Sequence, residues 1–169
     1  ALRAEHLQQL AEQKALHLIA VGHKMPGCID AGCDAYVRRM PPDLPLMLTE
    51  IKPGHRVAGE DGARARQLEA ERILAALPAG CVPVVLDERG PQVTTRELAA
   101  WLQGWMAEGV SPAFVIGGAD GLADSVRARA GKLLGLSKLT LPHALARVLL
   151  VEQLYRAVCI IKGHPYHRD

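Results

Sequence analysis

The sequence predicts one α/β domain: a mostly parallel sheet with helices on both faces. Three observations carry the prediction. Five short apolar segments alternate with longer helix-like stretches, the pattern of strands joined by crossover helices. Segments such as LHLIAV at 16–21 and VPVVL at 82–86 are apolar almost throughout, as strands covered on both sides are. The 169 residues are 49% hydrophobic and 22% charged, which suits a single core and excludes a disordered chain.

Taken in order, residues 1–15 form a helical extension whose only large apolar groups are Leu2, Leu7 and Leu10. A single domain then occupies 16–169. Its first strand, 16–21, closes on Gly22. Residues 28–40 place Ile29, Cys33, Tyr36, Val37 and Met40 on one helical face, and Pro41-Pro42 stops that helix. A second strand spans 46–51. Residues 52–62 hold Pro53, Gly54, Gly59 and Gly62 beside Lys52, His55 and Arg56, a loop with a basic start. A helix over 63–77 leads to the strand at 82–86. Thr94 and Glu97 make a capping box, and Leu98, Trp101, Leu102, Trp105 and Met106 follow at amphipathic spacing up to Gly109. The strand at 113–116 opens into GGADGL at 117–122. The next helix is expected to run to about Leu134, and residues 136–141 to return as a strand. The last helix begins at Pro142 and ends at Gly163 and Pro165. It is apolar on too many sides for a surface helix, so neighbours within the domain or a second subunit must cover it.

Composition narrows the function. A net charge of +2 announces no general nucleic-acid binder, although local patches remain open. The four cysteines form no CxxC pair and no zinc pattern, so no metal is expected. No apolar run reaches membrane-spanning length, and a reducing, cytoplasmic setting is the default.

Ligands of open parallel sheets bind beyond the carboxyl ends of the strands. Three such ends stand out: Leu86-Asp87, the 117–121 loop, and Leu141-Pro142-His143. The glycine loop matches neither the dinucleotide fingerprint nor a Walker A loop, and turn formation alone explains it equally well. The C-terminal tail carries His164, Tyr166, His167 and Arg168, which between them can move a proton, stack, and hold a phosphate.

IGGADGL, LSKLTLPH, RVLLVEQLYRA and HPYHR, in that order and spacing, closely resemble the RlmH family. These are SPOUT-class methyltransferases that act on a pseudouridine of 23S ribosomal RNA. AVGHKMP, YVRRMPPDLPLMLTEI and ERILAAL agree with the family's earlier segments, so the resemblance covers about 16–169. It implies a C-terminal trefoil knot, a homodimer, S-adenosylmethionine as methyl donor, and N3-methylpseudouridine as product, made on the large subunit or the 70S ribosome. By position, the donor site would comprise Leu86, Gly117, Gly118, Leu136, Ser137, Lys138, Leu139, Thr140 and Leu141. Where the family often has Pro-Glu, this chain has Ala119-Asp120.

On that reading His167 is the first candidate base for the N3 proton and His143 the second. Arg156 and Arg168 would hold phosphate or developing negative charge, and Tyr166 would orient the base. Lys24, Arg38, Arg39, Lys52 and Arg56 are available for RNA backbone contacts. Two rivals stand beside it: a non-catalytic ribosome-binding protein of the same fold, and a tRNA methyltransferase.

Overall fold

A computed structural model describes residues 14–22 and 25–169 of the chain. The expected extension over 1–15 therefore lies almost wholly outside the described residues. Five strands form one sheet: β1 (Leu16–Val21), β2 (Leu46–Ile51), β3 (Val82–Leu86), β4 (Pro112–Ile116) and β5 (Lys132–Leu134). Their order is β2-β1-β4-β3-β5, and every pairing is parallel. Five helices connect them: α1 (Gly27–Val37), α2 (Ala63–Ala76), α3 (Thr95–Glu108), α4 (Asp124–Ala128) and α5 (His143–Lys162).

The continuous apolar strands have a direct cause in the two-sided core. Leu16, Leu18 and Ala20 of β1, with Phe114 and Ile116 of β4, face α1, α3 and α5. Their neighbours Ile19, Val21, Ala113 and Val115 face α2 and α4, through Ala70, Ile73 and Val126. Side chains alternate across a strand, so burying both faces requires apolar residues at every position. Phe114, paired in register with Leu18 on one side and Val84 on the other, is fully buried at the centre.

The capping box at α3 is present in full: Thr94 Oγ1 accepts from the Glu97 amide at 3.1 Å, and the Thr94 amide donates to Glu97 Oε2 at 3.2 Å. The tryptophans pack partly buried against the core, as their spacing predicts. The four cysteines are unpaired, with Cys33 and Cys159 buried.

One stretch departs from expectation. The helix after the glycine loop ends at Ala128 rather than near Leu134, and 132–134, inside the expected helix, is the fifth strand. Residues 136–141, expected as a strand, form no strand at all but a loop. The cause is pairing. Val84 to Leu86 of β3 offer an open edge, and only Lys132 to Leu134 reach it in register. Past Leu134 the chain is stitched to the β3–α3 connection instead: the Asp87 amide donates to the Leu134 carbonyl at 3.0 Å and the Gly135 amide to the Pro91 carbonyl at 3.0 Å. The chain then crosses the strand ends to reach α5 on the opposite face.

Candidate active site

That crossing forms one wall of a cleft at the carboxyl ends of β3, β4 and β5. An inner slot has mostly apolar walls, Leu86, Ile116, Leu134, Leu136, Leu139 and Leu141, interrupted by Ser137, Thr140 and His143 and by the charged Asp87 and Glu88. It shares Leu86, Asp87, Glu88, Gly117, Leu141 and His143 with a wider, polar mouth that continues over Gly118, Asp120 and Arg127. Eight of the nine expected donor residues therefore line one continuous cleft; Lys138 is exposed and lines neither part.

Gly117 and Gly118 are required by space. A Cβ on Gly118 would sit 3.0 Å from Val21 Cγ1 and 3.3 Å from Glu69 Oε1, and one on Gly117 would lie 2.7 Å from Leu122 Cγ. Bare backbone is therefore what the cleft presents at this point.

Charged pairs made only by the fold brace the cleft. The Asp87 side chain is largely covered, accepting from the Arg89 amide at 2.9 Å and from Arg127 Nε at 2.8 Å. These bonds, the Arg89 amide foremost, hold its carboxyl below the usual range. Arg56 pairs with Asp120 at 3.0 Å, tying the 52–62 loop to the glycine loop. Behind that loop Glu69 is buried; its Oε1 accepts from the Gly54 amide at 3.3 Å, while its Oε2 has no partner among the described residues. Burial pushes its carboxyl upward. Arg147, fully buried one turn after His143, donates to Glu50 Oε2 at 2.9 Å and to the Gly22 carbonyl at 3.3 Å. The Asp87–Arg127 partners lie 40 residues apart and the Arg147–Gly22 partners 125, and no local spacing announces either.

The tail builds a second cluster. Glu152 Oε1 accepts from Arg156 Nε at 2.9 Å, Arg156 Nη2 at 2.6 Å and the Tyr166 hydroxyl at 3.0 Å. Tyr166 packs edge-on to Tyr155 with centroids 4.8 Å apart, and the Arg156 guanidinium lies 4.7 Å from the Tyr166 centroid. Burial, then the Tyr36 and Glu152 hydrogen bonds, keep the Tyr166 phenol far above its ordinary range, so it stays a donor. His167 Nε2 meets Asp169 Oδ1 at 2.8 Å and Nδ1 faces Arg156 Nη1 at 3.4 Å. A guanidinium only donates, so Nδ1 carries a lone pair and Nε2 the proton. Arg96 anchors Asp169 through two bonds and, with His167, draws its carboxyl down to about 2. Arg168 is exposed, with no ion pair among the described residues.

Arg156, Tyr166 and His167 thus gather in one place, but His143 and the cleft lie elsewhere. Along α5, Glu152 is nine residues from His143 and Arg156 thirteen, or roughly 14 and 20 Å at the helical rise. Within one chain the tail does not reach the cleft. Lys24, expected among the RNA contacts, lies outside the described residues. Among those residues no group of three His, Cys, Asp or Glu side chains is arranged to hold a metal, and no helix is long and apolar enough to cross a membrane.

Comparison with known proteins gives a consistent result. The family profile described as "Predicted SPOUT methyltransferase" matches residues 15–167. The ribosomal RNA large subunit methyltransferase H of Thiobacillus denitrificans is 79% identical over 154 residues, covering 91% of this chain and 99% of that protein. The protein of the same name from Ralstonia pickettii is 56% identical over 153 residues, covering 90% and 98%. Among solved structures, a probable methylase family protein from Haemophilus influenzae aligns with a TM-score of 0.55 at 18% identity, over 94% of this chain and 72% of that one. A probable methyltransferase from Bordetella pertussis aligns at 0.54 and 16% identity, over 90% and 99%. These two likenesses concern the fold alone.

Proposed function

The chain belongs to the SPOUT methyltransferase family, and from that premise we propose that it methylates N3 of a pseudouridine in 23S ribosomal RNA, with S-adenosylmethionine as donor. It works in the cytoplasm as a homodimer, on the large subunit or the 70S ribosome. The observation that carries the reading is the 79% identity, over nearly its whole length, to a ribosomal RNA large subunit methyltransferase.

The cleft suits such a donor in its chemistry. Its apolar slot offers leucine side chains and loop main chain to a flat, weakly polar base, and its polar mouth offers bare glycine backbone to a charged, flexible portion. When bound, the donor supplies an electrophilic methyl group. On this reading Leu86, Gly117, Gly118, Leu136, Ser137, Leu139, Thr140 and Leu141 hold it, with Lys138 at the rim. The close crossing of 134–136 over the β3–α3 connection supports the expected trefoil knot.

The acceptor N3 is a poor nucleophile while it carries its imide proton. The tail holds the groups that would remove it. Asp169 fixes the His167 ring with its proton on Nε2, leaving the Nδ1 lone pair behind only a long 3.4 Å contact. His167 Nδ1 takes the N3 proton once the base displaces that contact. Arg156, held by Glu152, stabilises the charge that develops on the uracil oxygens, Tyr166 orients the base, and Arg168 meets a phosphate. A general base contributes about 10²–10⁴-fold and alignment roughly 7–11 kcal/mol. His143, which lines the slot, is the second candidate base.

The separation of tail and cleft supports the dimer: the tail of one subunit completes the cleft of the other. Leu145 and Leu149 lie one turn apart on α5, 49% and 44% exposed, and Leu139 at the slot is 76% exposed. An apolar stripe beginning at the cleft mouth is the surface a second copy would cover. Titration with S-adenosylmethionine by calorimetry tests the donor site; no heat would favour the non-catalytic rival. Transfer of tritiated methyl to separated RNA pools tests the acceptor; label in tRNA alone would favour the tRNA rival.

A further inference from the structure

All three tyrosines of the chain meet at one place, although they come from three elements. Tyr36 of α1 lies 5.8 Å from Tyr155 of α5, and Tyr155 lies 4.8 Å from Tyr166 of the tail, centroid to centroid. Arg39 sits over this group, with its guanidinium carbon 5.6 Å from the Tyr36 centroid and 6.0 Å from that of Tyr155. We propose that Arg39 is a phosphate anchor for the RNA strand entering the active site, a guanidinium held ready beside the tail by two tyrosine faces. The inference rests on the reading of the chain as an rRNA methyltransferase.

The aromatic seat sets Arg39 apart, and the arginines that brace the site show the contrast. Arg56, Arg96, Arg127, Arg147 and Arg156 each face a carboxylate within 3.0 Å. Arg39 is exposed and has no ion pair among the described residues. Ring faces orient a guanidinium without neutralising it, and although Arg39 also bonds the Tyr155 side chain, its five N–H donors leave some free for an incoming anion. A planar fork suits the two oxygens of a phosphodiester. The backbone beneath is fixed too, since the Arg39 amide donates to the Tyr36 carbonyl at 3.0 Å in the turn that ends α1. From Arg39 the rings lead through Tyr155 to Tyr166 and then to Arg156, whose charge Glu152 already balances. Arg39 is thus the uncompensated cation of this aromatic cluster.

The test is methyl transfer by the full-length dimer to ribosomes from a strain lacking the activity, across a salt series, with Arg39→Gln and Arg39→Lys. Removing one charged phosphate contact raises KM for the ribosome about tenfold. It also makes the dependence of log KM on log salt shallower by about 0.7. The loss falls on KM rather than kcat, and donor affinity by calorimetry and melting temperature stay at wild-type values. Arg39→Lys keeps the wild-type salt slope and recovers part of KM. An unchanged KM and slope in Arg39→Gln overturns the anchor, as does a drop in melting temperature with the slope intact, which marks a packing role. Absence of transfer by the wild-type enzyme itself overturns the rRNA reading and the anchor with it. Wild-type transfer together with an indifferent Arg39→Gln removes the anchor alone.

Discussion

Gly135→Ala probes the point where the chain crosses from β5 toward α5. A Cβ at this position would lie 2.5 Å from the Gly90 carbonyl oxygen, with Gly90 C at 3.3 Å and the Asp87 carbonyl oxygen at 3.5 Å. Carbon and oxygen rest at about 3.3 Å or beyond, so the two segments must part by about 0.8 Å. All three neighbours are backbone, so no side chain can swing away. Overpacking of this kind costs about 1–3 kcal/mol, and each flanking hydrogen bond that gives way adds about 1 kcal/mol. For a chain of this size the melting temperature should fall roughly 5–15 °C. The same displacement moves Leu136 and Ser137 in the slot. Donor affinity by calorimetry should drop about tenfold and methyl transfer about 10²-fold. Gly104→Ala is the control: it lies in α3 with nothing within 4 Å of a new Cβ, and should gain up to about 1 kcal/mol without touching the donor. Wild-type melting and donor affinity in Gly135→Ala would refute the claim that this crossing shapes the cleft.

Other variants address the remaining parts of the site. Arg156→Ala and His167→Ala should bind S-adenosylmethionine as wild type does yet transfer methyl about 10²–10⁴-fold more slowly; wild-type turnover in both removes the tail from catalysis. A Leu145→Glu, Leu149→Glu double variant should sediment as a monomer and lose transfer, and an active dimer would place the interface elsewhere. Gly118→Val should drive the glycine loop off Val21 and Glu69 and so weaken donor binding; unchanged affinity would remove this loop from the donor site. Glu69 carries a pH signature. Burial raises its folded-state carboxyl, so the folded protein keeps a proton that the unfolded chain releases, and stability falls as pH rises from about 4 through the raised value. Glu69→Gln should melt above wild type at pH 7 and level with it near pH 4, and parallel melting curves across that range would contradict the assignment.

Much of the fold was legible because the residues carried local signals. Four strands were read from apolar runs closed by Gly, Pro or Asp, and the α3 start from Thr94 and Glu97. The fifth strand was missed for a physical reason. β5 is three residues long at a sheet edge, too short to show a period, and Leu133 and Leu134 continue the helical spacing of Val126 and Ala130. Its conformation is decided by the β3 edge, 48 residues away in sequence. The cleft residues were legible through the strand-end rule and the family motifs. The bracing groups were not. The Asp87–Arg127 and Arg147–Glu50 pairs, and buried Glu69, are made by the fold and leave no spacing to read. The i,i+4 spacing announced the Glu152–Arg156 pair and the tail's composition its chemistry, but not that Glu152 would also hold Tyr166, nor that this cluster would stand a helix's run from its own cleft.

The most direct test of the account is transfer of a labelled methyl group from S-adenosylmethionine to ribosomes of a strain lacking the activity, with the modified nucleoside identified by mass spectrometry of isolated 23S rRNA. The account predicts a single N3-methylpseudouridine, formed by the wild-type dimer and lost in His167→Ala. Label confined to tRNA, or no label with a donor that binds, would contradict it.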